Sequence, residues 1–116
     1  MKVTATIQAR MGSSRLPGKV LMDICGKPML LWQVERIRRA RLVDEIIIAT
    51  TLSESDNEIE TFCKINNIRF FRGSENDVLD RIACLISERN IDIHLECYGD
   101  SPFIDPQIID ESIGFY

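Results

Sequence analysis

Residues 3–19 read VTATIQARMGSSRLPGK. The first six, Val3 to Gln8, are apolar or β-branched at nearly every position, the pattern of a strand covered on both faces. Ala9 to Lys19 then place three cations (Arg10, Arg15, Lys19), two glycines (Gly12, Gly18) and the pair Ser13-Ser14 in one loop. Such a loop, leaving the end of a strand, is suited to wrap a polyphosphate. Gly12 and Gly18 let the backbone approach closely and adopt φ > 0. Backbone N–H groups and serine hydroxyls can face phosphate oxygens, the arginines offer forked donors, and Lys19 is a compact point charge. A P-loop is excluded by spacing: it has four residues between its glycine and the Gly-Lys, followed by Ser or Thr. Here five residues separate Gly12 from Gly18-Lys19, Pro17 lies inside, and Val20 follows. No G-x-G-x-x-G is present either. The plain alternative is a basic surface loop, since Lys and Arg are mostly exposed.

Outward from this stretch the apolar period alternates between strand and helix. Pro28 fits a first helical turn, and Leu30, Val34, Ile37 and Ala40 recur at helical steps with cations at the C-terminal end. Glu45–Thr51 reads as a second buried strand, and Ser53 to Asp56 offer caps for a helix carrying Ile59, Phe62 and Cys63. Residues 68–71 read as a third strand. Ser74 or Asn76 can cap a third helix with Val78, Leu79, Ile82, Leu85 and Ile86 on its apolar face. Asp77, Asp80 and Arg81 fall on its polar side as solvated ion pairs. Asp92–Tyr98 alternates as a fourth strand, with the single histidine, His94, on the outward side as a surface or packing residue. Asp105-Pro106 starts one more helix, and Trp32 reads as core or interface. This order specifies an α/β sandwich with a mostly parallel sheet and right-handed crossovers. Ligands of such sheets bind outside the carboxyl ends of the strands, where both the basic loop and Gly99-Asp100 belong.

The chain has 116 residues, the length of one domain spanning 1–116. A formal charge of −4 argues against non-specific nucleic-acid binding. The cysteines (Cys25, Cys63, Cys84, Cys97) form no C-x-x-C pair and read as small buried hydrophobes of a reducing compartment. No apolar run is long enough to span a membrane and the N-terminus has no signal-peptide core, so the expected location is cytoplasmic. Asp100, between Gly99 and Pro102, admits two readings. It holds Mg²⁺ together with substrate phosphates, or it caps the turn.

The segments IQARMGSSRLPGKVL, DI-x-GKPML, EIIIAT and GDSP-x-IDP resemble the cytidylyltransferases that activate acidic sugars, with FRGSENDVLDR closest to the spore-coat polysaccharide biosynthesis F-type branch. The likeness runs over essentially the whole chain. It implies a Rossmann-like three-layer α/β/α sandwich of the nucleotide-diphospho-sugar transferase type, truncated. It implies transfer of CMP from CTP to a sugar hydroxyl, with Mg²⁺ as cofactor, pyrophosphate as leaving group, and homodimer contacts in the family. By matching position, Arg10, Ser13, Arg15 and Lys19 would hold the triphosphate beside the backbone of Ala9 and Gly12. Arg72 to Ser74 would lie near base or ribose, the region of Asp77, Asp80 and Arg81 would approach the site, and Asp100 would bind metal. Two departures stand out. Tyr98 replaces a glutamine that helps read the base in Kdo-activating relatives, and the family's chains are roughly twice as long. The expectation is an N-terminal half of a longer protein, or a truncated form that binds nucleotide without turnover.

Overall fold

Every residue of β1 (Val3–Gln8) is buried, and this strand occupies the interior of a parallel sheet. The structure, a computed structural model, describes residues 2–12 and 18–98; the expected site residues Ser13, Arg15 and Asp100, and the helix expected after Asp105, lie outside them. After β1 come a hairpin of β2 (Asp23–Ile24) and β3 (Lys27–Pro28), then α1 (Met29–Arg38) and β4 (Glu45–Thr51). α2 (Asn57–Ile65), β5 (Arg69–Gly73), α3 (Val78–Arg89) and β6 (Ile93–Tyr98) complete the described chain. The sheet order is β5-β4-β1-β6, with every neighbouring pair parallel. Thr6 lies between Ile47 and Glu96, and Ile7 between Ile48 and Cys97.

Alternation then sorts the strand residues between two faces. Ala5, Ile7 and Ile48 pack with Leu30, Val34 and Ile37 of α1 and with Ile59, Phe62 and Cys63 of α2. Ile47, Ala49 and Phe71 pack with Leu85 of α3 on the other face. The layers are therefore helix, sheet, helix, as expected. The chain steps outward from β1 to β4 to β5 through α1 and α2, then returns through α3 to β6 on the far side of β1. Right-handed crossovers require the helices to change face when the direction reverses, and they do. Each fully buried Ile or Leu in these clusters contributes about 1.5–3 kcal/mol of transfer free energy.

Local details depart from the expected pattern in ways that have physical causes. Pro28 sits just before α1, in register with Asp23 of the hairpin, and the Cys25-Gly26 turn takes positive φ at both residues (51° and 91°). Trp32 is half-buried and pins this hairpin, its Nε1 donating to Ile24 O at 2.6 Å. Cys25 and Cys84 are exposed, contrary to expectation, because one occupies that turn and the other the outer face of α3. Cys63 and Cys97 are buried, and desolvation pushes their thiols up to about 12 and about 11. The cap of α3 is neither Ser74 nor Asn76 but Asp77, whose Oδ1 accepts from Asp80 N at 3.0 Å. Val78 and Leu79 do not join the core, being 45% and 79% exposed, since the first turn of α3 lies at the sheet's rim beside a crevice.

Candidate functional site

The point where the sheet order reverses lies between β1 and β6, and the Ala9–Lys19 loop leaves the sheet there. In open α/β sheets this switch point is where the crevice forms. Ala9 is still paired, its N–H donating to Ala49 O at 3.0 Å. Met11 N donates to Asp56 Oδ1 at 2.7 Å, and Gly18 N closes the loop by donating to Met11 O at 2.8 Å. Asp56 holds the expected N-cap position of α2, but its buried carboxylate makes no capping bond and also accepts from Thr51 Oγ1, so it clamps the start of the loop to the end of β4. Gly18 has φ of 76° and opens the 3₁₀ turn of Lys19–Leu21, through which Val20 enters the core. Positive φ is thus required at Gly18; Gly12 does not adopt it.

Beside the loop lies a crevice of about 430 Å³ lined by Gln8, Ala9, Arg10, Asn76 and Arg81, with Glu75 and Val78 at its rim. Arg10 is exposed, whereas Arg81 is only 4% exposed, a position at which an unpaired charge is costly. Arg81 Nε donates to Gln8 Oε1 at 3.0 Å and Nη1 to Ser74 O at 2.5 Å. Among the described residues no carboxylate lies within 4.0 Å of either arginine. Burial, then the like charge of Arg10, holds the Arg81 guanidinium below the usual arginine range, partly offset by Asp56 and Glu96. Gly73 makes room for it: a Cβ there would lie 2.9 Å from Arg81 Cγ.

The structure brings Ala9 and Arg10 together at this crevice and places Gly12 and Lys19 on the two arms of the loop. Ser74 belongs to the same rim through its carbonyl. Arg72 is not brought there. Its guanidinium donates to Thr51 O, Ser53 O and Asn57 Oδ1 and pairs with Glu60 at 3.2 Å, against α2 on the opposite face of the sheet. Arg81 takes the inward position in its place. The polar-side reading of Arg81 is therefore corrected, and the signal available was its spacing: it precedes Leu85 by one helical turn, on the same stripe. His94 is a packing residue, 2.6 Å from Thr6 Oγ1.

Residues 4–114 match the profile of the cytidylyltransferase family. The chain is 40% identical to the spore coat polysaccharide biosynthesis protein SpsF of Bacillus subtilis, over 92% of this chain and 46% of that one. It is 38% identical to the 3-deoxy-manno-octulosonate cytidylyltransferase of Geobacter sulfurreducens, over 97% and 44%. Among solved structures, a cytidylyltransferase from Leptospira borgpetersenii superposes with a TM-score of 0.93 at 36% identity, covering all of this chain and 49% of that one. A CMP:2-keto-3-deoxy-manno-octonic acid synthetase complexed with CTP superposes at 0.83 and 30% identity, covering 99% and 47%. The chain spans about half the length of these relatives. With the switch-point loop and the cationic crevice in place, the match identifies the chain as a member of the cytidylyltransferase family.

Proposed function

We propose that this chain is the nucleotide-binding half of an enzyme that transfers CMP from CTP to an acidic sugar, in the synthesis of a cell-surface polysaccharide in the cytoplasm. The observation that carries the reading is the pair of cations, exposed Arg10 and buried Arg81, sharing one crevice at the switch point with the anchored loop. The sugar hydroxyl attacks the α-phosphorus, the new O–P bond forms as the bond to the bridging oxygen breaks, pyrophosphate leaves, and the hydroxyl proton passes to solvent. No covalent enzyme intermediate is needed, and positioning plus charge stabilisation supply the catalysis. Arg10, Ser13, Arg15 and Lys19 hold the triphosphate with the backbone of Ala9 and Gly12, and Ser74 lies toward base or ribose.

Among the described residues no three His, Cys, Asp or Glu side chains gather as a metal site. A cation held by one carboxylate and phosphate oxygens needs no such cluster, and Asp100, two residues beyond β6, supplies a donor of the right hardness. Mg²⁺ bound there would neutralise charge on the leaving pyrophosphate. The acceptor pocket and any homodimer interface are assigned to the remaining half of the relatives' length.

The chain joined to that half should release pyrophosphate from CTP with Mg²⁺ and one of a panel of acidic sugars. Silence with every sugar would defeat the reading. Tyr98, in place of the base-reading glutamine of Kdo-activating relatives, favours a second reading in which UTP or GTP is the donor. Thermal shifts with CTP, UTP, GTP and ATP separate the two. Arg15→Ala or Lys19→Ala should each weaken triphosphate binding at least tenfold, since a charge-assisted contact is worth about 1.5–3 kcal/mol.

A further inference from the structure

On the α3 side of the sheet a chain of side-chain hydrogen bonds runs from the edge strand to the crevice. Glu96 Oε1 accepts from Thr6 Oγ1 at 2.8 Å and from Gln8 Nε2 at 3.1 Å. Thr6, having donated its one proton to Glu96, accepts from His94 Nε2 at 2.6 Å, which also holds His94 3.7 Å from Glu96. Gln8 Oε1 then accepts from Arg81 Nε at 3.0 Å. A glutamine amide has two ends of opposite polarity, and only one orientation satisfies both neighbours. With its amine toward the Glu96 carboxylate, its oxygen must face the guanidinium; flipped, two sets of N–H donors would meet.

We propose that Gln8 and Glu96 are positioning residues that aim Arg81 at the nucleotide, Glu96 fixing the Gln8 amide and Gln8 fixing the guanidinium plane. The inference rests on the nucleotide reading of the crevice. Arg81 is buried, lacks a carboxylate partner within 4.0 Å among the described residues, and faces Arg10 across the crevice. Among the described residues Nε and Nη1 are bonded to Gln8 and Ser74, which leaves Nη2 to donate to an acceptor oxygen entering the crevice. A neutral oxygen from Gln8 holds the group in place without cancelling its charge, so the attraction for an incoming anion is kept. A carboxylate at position 8 would have pinned Arg81 equally well and neutralised it. Gln8 is the last residue of β1 and immediately precedes Ala9 and Arg10, so the same strand end that starts the loop also sets the arginine opposite.

The test uses this chain with CTP as the titrant in calorimetry, together with the Arg81 Nε–H signal in ¹⁵N–¹H spectra. Arg81→Ala and Gln8→Leu should each weaken CTP binding about tenfold, and the double variant no more than about twofold beyond Arg81→Ala. Glu96→Leu should cost about fivefold, while Glu96→Gln, which keeps an acceptor for Gln8, should stay within about threefold of the parent. The Arg81 Nε–H should exchange slowly in the parent and Glu96→Gln and broaden in Gln8→Leu. Wild-type affinity in Gln8→Leu, or losses that multiply in the double variant, would overturn the positioning role. If Gln8→Leu does not fold, the contrast between Glu96→Leu and Glu96→Gln decides it: equal affinities sink the proposal. A parent chain that ignores CTP would count against the functional reading instead. The relay then stands or falls on the ligand-free Arg81 Nε–H, which must still respond to Gln8→Leu.

Discussion

The two ends of the sheet each carry a hollow of about 430 Å³, and both are lined with cations. At the amino end Lys2 and Arg69 each lie 2.6 Å from Glu45, which they share. At the carboxyl end Arg10 and Arg81 have no carboxylate that close among the described residues. Equal volume and similar composition thus conceal a difference in pairing: two cations of one hollow are held by a carboxylate of the fold, and among the described residues those of the other are not. The same contrast recurs on the two faces of the sheet. Arg72, from β5, is bonded to two carbonyls, Asn57 and Glu60 and serves to fasten α2. Arg81, from α3, makes two bonds among the described residues, both to neutral oxygens.

The sharpest way to break this comparison is to exchange the two arginines' expected phenotypes. Arg72→Met removes the donors to Thr51, Ser53, Asn57 and Glu60 and leaves their oxygens short of partners, at a cost of about 2–3 kcal/mol of unfolding free energy. CTP affinity should stay within about threefold of the parent, because the side chain lies on the other face. Arg81→Met should do the reverse. Removing a buried charge that has no carboxylate within 4.0 Å among the described residues relieves its desolvation and offsets the two acceptors left unpaired on Gln8 and Ser74, so stability should stay within about 1 kcal/mol of the parent, while CTP binding falls about tenfold or more. Urea unfolding and calorimetry on both variants settle the matter. If Arg72→Met loses the nucleotide and keeps its stability, the assignment is inverted.

Gly73 sharpens it further, since this residue separates the two environments. A Cβ there would meet Arg81 Cγ at 2.9 Å and Phe71 Cε1 at 3.0 Å, and with Arg81 buried neither can withdraw freely. Gly73→Ala should therefore cost about 1–2 kcal/mol by overpacking and weaken CTP binding several-fold through displaced Arg81. Stability and affinity unchanged together would show that α3 can shift without consequence.

How far these distinctions were legible beforehand depends on how local their causes are. The strands from Val3 to Gln8 and from Glu45 to Thr51 are buried on both faces, so a continuous apolar run announced them without reference to anything else. The loop's chemistry was equally local, being written in its glycines and cations. The residue pattern around Arg72 and Arg81 does not show which of them turns to the crevice, because their environments are made by α2 and α3, whose faces follow from the direction of each crossover. Nothing within FRGSENDVLDR states which side of the sheet each helix takes. Asp56 was legible only in part: it takes the N-cap position of α2 as its residue type suggests, but its carboxylate is bonded to Met11 and Thr51, which follow or end two other strands. Cys84 and Leu79 look apolar in sequence and are exposed because α3 touches the sheet mainly through Arg81 and Leu85.

The smallest expected effect comes from the hollow at the amino end and tests its pairing directly. Burial by itself would raise the pKa of Glu45, but hydrogen bonds and charges from Lys2 and Arg69 outweigh it and hold the carboxyl below its ordinary 4.5. A lowered folded-state pKa means the stabilisation is complete above the unfolded-state value and disappears as pH falls through the folded-state one. Lys2 and Arg69 are 54% and 64% exposed at their side chains, so solvent screens them and the contribution is about 0.5–1 kcal/mol. Glu45→Gln should lower stability by that amount at neutral pH, and the two proteins should converge in acid once Glu45 is protonated. CTP affinity should not change, since the carboxylate is at the far end of the sheet from the crevice. A stability gap that persists in acid would mean that Glu45 acts through packing, and a change in affinity would mean that the two hollows are electrostatically coupled across the length of β4.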